Sequence, residues 1–588
     1  MWATVINNQI EKGTALPYDF AQIRDLSRIL ANRLRGVSSP EELYSLVYLA
    51  RTAQKAGQAD NAADAIDVVS QGDEDIAGLL ERSVSQLAVS SSFDELLEIV
   101  SSLGDEAVDA YLQNGPVPLG VFGGANTTPD GIIRLAVTAL GIEPGEKVVD
   151  FGCGQGGFIE MVASECPEAE LAGVDVDPSA IAVAKMRSKA TGSKASYTRD
   201  DMFSYYEGNI QADPVDKAFS NYPWGMQTRM FSRGSSYIDR VLRGEDRYKR
   251  PQSADWVFNR LLVDSLKEDG TAVAIMSNGA CFNGMDEPVR EYFVKNGFIK
   301  AVVALPKGVF APYTMIQTSL VVLCAGGSKG VRFVDASNLG TSDRRSCSID
   351  DAAIEAIAKM LDSNSEKSAF KTLEEIAARD FDLSARRYLE KAIDVPNGVE
   401  LGSVVSIKRG ASVRAAELDS LVCDKDTGLS YLNLGNISDG SIDDELPNLC
   451  SLDPKLEKYC INNGDVLISK SGAPFKVAVA EVSEGRKVLA NGNLYVLSVD
   501  RGKIDPYYLA AFFSSPSGKE LLSRGAVGTA IPNVPIKALS AIKVPLEDAE
   551  RQKAVADAYL AKTDEIKVLK LRLSRARQEI ADLFDEEG

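Results

Sequence analysis

Apolar residues change their spacing along this chain, and each change predicts a new element type. Residues 1–117 read as a helical domain: Leu26, Ile29, Leu30 and Leu34 recur at helical intervals, as do Leu43, Leu46, Val47 and Leu49. Pro40, behind Ser38-Ser39 and ahead of Glu41-Glu42, predicts a helix start. From 118 to 345 short apolar strands alternate with helical stretches. The strands are Lys147-Val-Val-Asp150, Leu171-Ala-Gly-Val174, Lys217-Ala-Phe-Ser220, and the runs 271–276, 299–305 and 318–324. Such alternation predicts an α/β domain, a mostly parallel sheet with helices on both faces. Residues 346–398 return to helix and read as a helical linker, closed by Val395-Pro-Asn-Gly398. Residues 399–548 are turn-rich and strand-like, punctuated by Gly435-Asn436, Asp439-Gly440, Asn463-Gly464 and Asn491-Gly492. Residues 549–588 predict a long helix. Tyr559, Ile566, Leu573 and Ile580 alternate with Val555, Leu569, Ala576 and Leu583, interrupted by Lys562, which is a short coiled-coil seam.

Composition narrows the chemistry. With 45% apolar and 25% charged residues, the 588-residue chain is ordinary for globular domains, and no apolar run approaches the roughly 20 residues of a membrane span. Histidine is absent, which excludes Ser-His-Asp and Cys-His catalysis and His-ligated metals. The eight cysteines form no C-x-x-C pair, so neither a disulfide framework nor a zinc site is expected, and a cytoplasmic protein is the simplest reading. A net charge of −20 argues against generic nucleic-acid binding. Two basic clusters offset that average: Arg233, Arg240, Arg243, Arg247, Lys249 and Arg250, then Lys408, Arg409 and Arg414. Each is equally readable as a solvated loop.

The richest segment is Asp150-Phe-Gly152-Cys-Gly154-Gln-Gly156-Gly157, between a strand and a helix. It satisfies G-x-G-x-x-G and fits either a dinucleotide or S-adenosylmethionine. Asp150, directly before the turn, favours the second: an anion there repels pyrophosphate and suits the cationic amino-acid end of S-adenosylmethionine. Asp175, ending the second strand, can accept from ribose hydroxyls. Asp201, with Asp200 as its competitor, can receive the adenine amino group. Downstream, Asn221-Tyr222-Pro223-Trp224 supplies a clamp for a planar amine. The Asn221 amide oxygen and the Tyr222 carbonyl would hold the amine hydrogens while Trp224 stacks on the base, a catalysis that needs no histidine. The competing reading is an Asn-x-Pro turn with a core tryptophan.

With these motifs in order, residues 118–335 resemble the modification subunit of type I restriction–modification systems, a DNA adenine methyltransferase. The matching pieces include Gly120-Val-Phe122 to Thr127-Thr128-Pro129, and Ala304-Leu-Pro306 to Gly308-Val-Phe310 followed by Thr318. The resemblance implies a Rossmann-like class I methyltransferase domain in which Thr128 and Pro129 lie at the cofactor and Thr128 touches its carboxylate. Tyr222 departs from the family's usual proline, although its carbonyl remains available. Residues 400–588 resemble half of the same systems' specificity subunit. The pieces are Leu401-Gly-Ser-Val404 to Lys408-Arg-Gly410, Tyr431-Leu-Asn-Leu-Gly-Asn436, Gly464-Asp-Val-Leu-Ile-Ser469, Gly525 to Asn533, Val544-Pro545 and Arg551-Gln552. That implies a mixed α/β target-recognition domain over 399–548 and a spacer helix over 549–588.

The expectation is therefore a site-specific adenine-N6 methyltransferase acting on double-stranded DNA with S-adenosylmethionine. Catalysis falls to Asn221, Tyr222, Pro223 and Trp224. The cofactor falls to Thr128, Pro129, Asp150, Gly152, Gly154, Gly156, Asp175, Asp201 and Asn221, and DNA contact to Arg233, Arg243, Lys249, Arg250, Lys408 and Arg409, with no metal. A single recognition half with an unpaired seam suggests a homodimer through the C-terminal helix, with a restriction or defence subunit as a further partner. A methyltransferase-derived DNA sensor that no longer turns over is the alternative. Methylation of RNA or a protein glutamine shares the clamp chemistry.

Overall fold

The computed structural model describes residues 20–34, 37, 39–57, 61–88, 91–117, 127–231, 236–243, 251–343, 346–389, 393–413, 417, 420–472, 474–526 and 533–582. The chain forms two compact units, Met1–Glu390 and Lys391–Gly588.

In the first unit the N-terminal helices are Phe20–Arg33, Pro40–Ala56, Ala62–Ser70, Glu74–Leu87, Phe93–Ser101 and Asp105–Asn114. Pro40 does open a helix. Ser39 Oγ accepts from the Glu42 N–H at 3.1 Å while the Glu42 carboxylate accepts from the Ser39 N–H at 3.2 Å, a reciprocal cap. The helices close a core around Leu43, Leu46, Val47, Leu49, Leu80 and Tyr111 that also takes in Ala182, Val183 and Met186 of helix Pro178–Thr191. Lys185 on that helix meets Asp73 at 2.9 Å and Asp75 at 2.8 Å.

The central sheet uses β1 (Lys147–Phe151), β2 (Glu170–Asp175), β3 (Ser196–Arg199), β4 (Val215–Ser220), β5 (Leu266–Ser277), β6 (Ile299–Ala304), β7 (Thr318–Cys324) and β8 (Gly330–Asp335). A small separate pair, β9 (Thr341–Ser342) with β10 (Cys347–Ser348), precedes an edge strand, β11 (Ser368–Thr372). The spatial order is β11-β8-β6-β7-β5-β4-β1-β2-β3. Strands β1 to β5 pair in parallel, β7 runs antiparallel between β5 and β6, and β11 is antiparallel to β8. The dinucleotide fold has the order 3-2-1-4-5-6. Here the reversed β7 separates β5 from β6, so the glycine turn belongs to a different sheet. Helices Asp130–Leu140, Gly157–Glu165 and Asp351–Asp362 cover one face, and Asp255–Asp264 with Glu287–Lys295 the other.

Residues 346–389 are more than the linker their sequence suggests. Helix Asp351–Asp362 joins the core of one sheet face through Ala353, Ile354, Ile357 and Leu361. β11 extends the sheet, and Tyr388 stacks on Phe333 of β8 with ring centroids 3.9 Å apart. The physical reason is that an edge strand and a buried ring ask for little apolar periodicity.

The second unit holds a four-stranded antiparallel sheet, whose strands are Val405–Arg409, Leu494–Val499, Val466–Ser469 and Val477–Val479 in spatial order, and a smaller five-stranded mixed one. Helix Pro506–Ser514 packs on the first sheet and on the long helix Ala549–Asp582. The predicted seam is divided. Val555 and Tyr559 pack into this unit's own core beside buried Gln552, Ala556 and Thr563, whereas Ile566, Leu569, Leu573 and Ile580 are exposed. The first two seam residues are thus spent intramolecularly. Among the described residues no helix is long and apolar enough to cross a membrane.

Candidate active site

Three parallel strands deliver the chemistry at their carboxyl ends. In register, Asp150 of β1 lies between Gly173 of β2 and Phe219 of β4, and the Ser220 hydroxyl donates to the Phe151 carbonyl at 2.5 Å, tying the mouths of β1 and β4 together. Beyond β1 the chain turns through Gly152, Gly154 and Gly156 at φ of 80°, 52° and 77°, a left-handed backbone that favours glycine. A side chain at Gly156 would meet the Tyr197 hydroxyl at 2.6 Å, so the turn also sits too close to β3 for a Cβ. Asp175 fixes the turn from β2: its carboxylate accepts from the Gly154 N–H and from the Asp177 N–H, each at 2.9 Å. One lone pair on each oxygen stays available for hydroxyls. Asp201 is exposed and caps helix Met202–Tyr205, accepting from the Phe203 N–H at 3.0 Å.

Two acceptors at these mouths are buried without a hydrogen-bond partner among the described residues, Asp150 Oδ1 and Asn221 Oδ1. Each such atom costs about 1–3 kcal/mol unless a ligand satisfies it. Burial, with the Asp175 charge second, pushes the Asp150 carboxyl well above the ordinary carboxylate range. A cation beside it would restore the ionised form, and a pyrophosphate would not. These atoms fit the ammonium end of S-adenosylmethionine and an acceptor amine, respectively.

The clamp segment is built from distant contacts. Asn221 Nδ2 donates to Thr128 Oγ1 at 2.8 Å, which orients the amide and leaves its oxygen unused. Pro129, beside Thr128, occupies the N-cap of helix Asp130–Leu140. Tyr222 does not line the site with its ring. The ring is buried, stacks on Phe258 at 4.7 Å and donates its hydroxyl to Asn259 Oδ1 at 2.8 Å. The side chain thus fills a core slot between Phe258 and Asn259. Pro223 is exposed. Half-buried Trp224 donates Nε1 to the Ile275 carbonyl at 3.1 Å and meets Phe310 edge-on at 4.5 Å, which holds its ring in one orientation.

Sequence reasoning missed several supporting groups. Gln155, inside the glycine turn, donates to Glu41 of the N-terminal helices at 2.7 Å. Asn259, Ser220 and the Ile275 carbonyl carry no local motif at all. Phe310 ends the Gly308-Val-Phe310 motif, which does not disclose its contact with Trp224. Arg233, Lys249, Arg250 and the Arg243 side chain, like Gly120-Val-Phe122, lie outside the described residues. In the second unit Lys408 and Arg409 are exposed on strand Val405–Arg409, and Arg409 Nε donates to the Gly492 carbonyl at 2.7 Å.

Residues 118–394 match the N-6 DNA Methylase family. Two curated relatives agree. The chain is 22% identical over 304 residues to the type I restriction enzyme MpnII methylase subunit of Mycoplasma pneumoniae, covering 48% of this chain and 55% of the relative. It is 23% identical over 309 residues to the MjaVIII methylase subunit of Methanocaldococcus jannaschii, covering 47% and 51%. The chain thus spans about half the length of the curated relatives it matches. Among solved structures, the type I restriction–modification methyltransferase subunit from Streptococcus thermophilus superposes with a TM-score of 0.50 at 15% identity, over 62% of this chain and 97% of that one. The fold is that of a class I methyltransferase.

Proposed function

We propose that this chain is a site-specific DNA adenine-N6 methyltransferase of a restriction–modification or defence system. The observation that carries the reading is the pair of buried, unpartnered acceptors, Asp150 Oδ1 and Asn221 Oδ1, at neighbouring strand mouths. The N-6 DNA Methylase match over 118–394 supports the substrate. When bound, S-adenosylmethionine supplies an electrophilic methyl group. The glycine turn, Asp150, Asp175 and Thr128 hold it, with Asp201 as a further acceptor. Asn221 Oδ1 and the Tyr222 carbonyl accept the two hydrogens of the adenine amine, concentrating its lone pair on nitrogen. Thr128 keeps the Asn221 oxygen aimed at the amine, and Trp224 stacks on the base after it leaves the duplex.

The second unit supplies target recognition, with Lys408 and Arg409 on phosphates, aided by Arg233, Arg243, Lys249 and Arg250. The exposed seam Ile566, Leu573 and Ile580 repeats every seventh residue and fits a second copy of the helix. Restriction, where the system has it, would come from a partner subunit. Tritiated methyl transfer to sequence-diverse plasmid DNA, with Asn221→Ala as control, tests the activity, and wild-type protein that binds the cofactor yet labels no DNA overturns it. Sedimentation tests the dimer: a monomer with and without DNA ends that part.

A further inference from the structure

Three loops follow β4, β5 and β6 on the rim that carries Asn221, and each ends in an exposed apolar side chain. These are Met230 at 66% exposure, Met285 at 68%, and Met315 with Ile316 at 45% and 54%. Single exposed apolar residues are ordinary, but a set gathered around one polar motif marks a contact surface. The loops are knitted together. The Thr228 N–H donates to the Gln252 carbonyl at 3.0 Å, the Gln252 N–H donates to the buried Asp286 carboxylate at 2.7 Å, and the Asn278 N–H donates to the Gln317 carbonyl at 3.3 Å. Phe310, packed on Trp224, seats the 305–317 loop directly against the clamp. Its tip has a defined shape, because Thr314 Oγ1 accepts from the Ile316 N–H at 3.0 Å. Met315 leans back on its own loop, its Cε only 3.2 Å from where a Gly308 Cβ would stand, so Ile316 is the residue that projects. The exposed cations Arg229 and Lys307 flank these tips, and the Asp286 carboxylate is turned inward.

We infer that Ile316, backed by Met315, is a wedge that enters the duplex beside the target and fills the space left in the base stack when the adenine is extruded. This rests on the function proposed above. An unpaired hole in stacked DNA exposes apolar base faces, and a branched aliphatic side chain covers them without competing for hydrogen bonds. Arg229 and Lys307 would hold the neighbouring phosphates. Ile316 acts as a positioning residue: it stabilises the extruded base and touches neither cofactor nor amine.

The test compares Ile316→Ala and Met315→Ala with wild type on two duplexes that carry the sequence wild type methylates. One is fully paired, and the other has an abasic position opposite the target adenine. Because Ile316 is exposed, its truncation leaves the fold intact, and equal cofactor affinity checks this. Ile316→Ala is expected to lower kcat/KM about tenfold on the paired duplex and to lie within about twofold of wild type on the abasic one, where extrusion is already cheap. Equal losses on both duplexes, or no loss on either, overturn the wedge while leaving the methyltransferase standing. Wild type that labels neither duplex removes the function and the wedge with it.

Discussion

The two halves of the active-site rim are built on different principles. At the mouths of β1, β2 and β3 the work is done by backbone: a left-handed glycine turn, an Asp175 carboxylate that fastens it, and one buried acid. At the mouths of β4, β5 and β6 it is done by side chains fixed from afar, with Asn221 set by Thr128, Tyr222 by Asn259 and Trp224 by the Ile275 carbonyl. A cofactor is one fixed molecule and can be met by a fixed local loop. A base arriving from a duplex, as the proposed function has it, must be oriented, which takes separate anchors from separate elements.

Substitutions on either side sharpen this contrast. The largest effect is expected at Asn221→Ala, which removes the acceptor proposed for the adenine amine. The rate of methyl transfer in single turnover should fall about 10²–10³-fold with cofactor affinity nearly unchanged. On the other half, Asp150→Asn should weaken S-adenosylmethionine about tenfold by calorimetry, since the ammonium loses its counter-charge. The same change should stabilise the ligand-free protein at neutral pH. A carboxyl whose folded-state pKa is raised favours the fold most below the ordinary carboxylate range, and that contribution is lost as pH rises through the raised value. Urea midpoints of wild type should therefore decline over that interval relative to those of Asp150→Asn, and parallel curves would refute the assignment. Tyr222→Phe leaves Asn259 Oδ1 without its donor. It should cost about 1–2 kcal/mol in stability and change kcat less than threefold, because the proposed role falls to the carbonyl and not to the ring. Thr128→Val, the mildest, frees the amide to turn and should slow transfer about threefold with little change in the melting temperature.

The same contrast governs what the sequence discloses. A turn that needs glycine at three positions and an acid before it writes itself into eight consecutive residues. The Asp150, Asp175 and Asn221 mouths were accordingly readable as strand ends. The reversed direction of β7 was not, because Thr318–Cys324 is apolar throughout and a buried run has no polarity to betray its sense. Nor was the Tyr222 ring's destination, set by Phe258 and Asn259 some 36 positions downstream. β11 escaped for a different reason: only Ser368 of its five residues is buried, so it shows no hydrophobic alternation. The heptad of the last helix was visible, but periodicity does not name the surface it meets, and its first two residues, Val555 and Tyr559, meet their own unit.

Ala182, Val183 and Met186 sit on the back of a helix whose front packs on the central sheet, and they share their core with the leading helices. A polypeptide trimmed to begin near residue 118 would therefore present a greasy flank to water and clump, however complete its catalytic motifs. Any transfer of this sheet domain to another chain must carry the first hundred residues along as inseparable cargo.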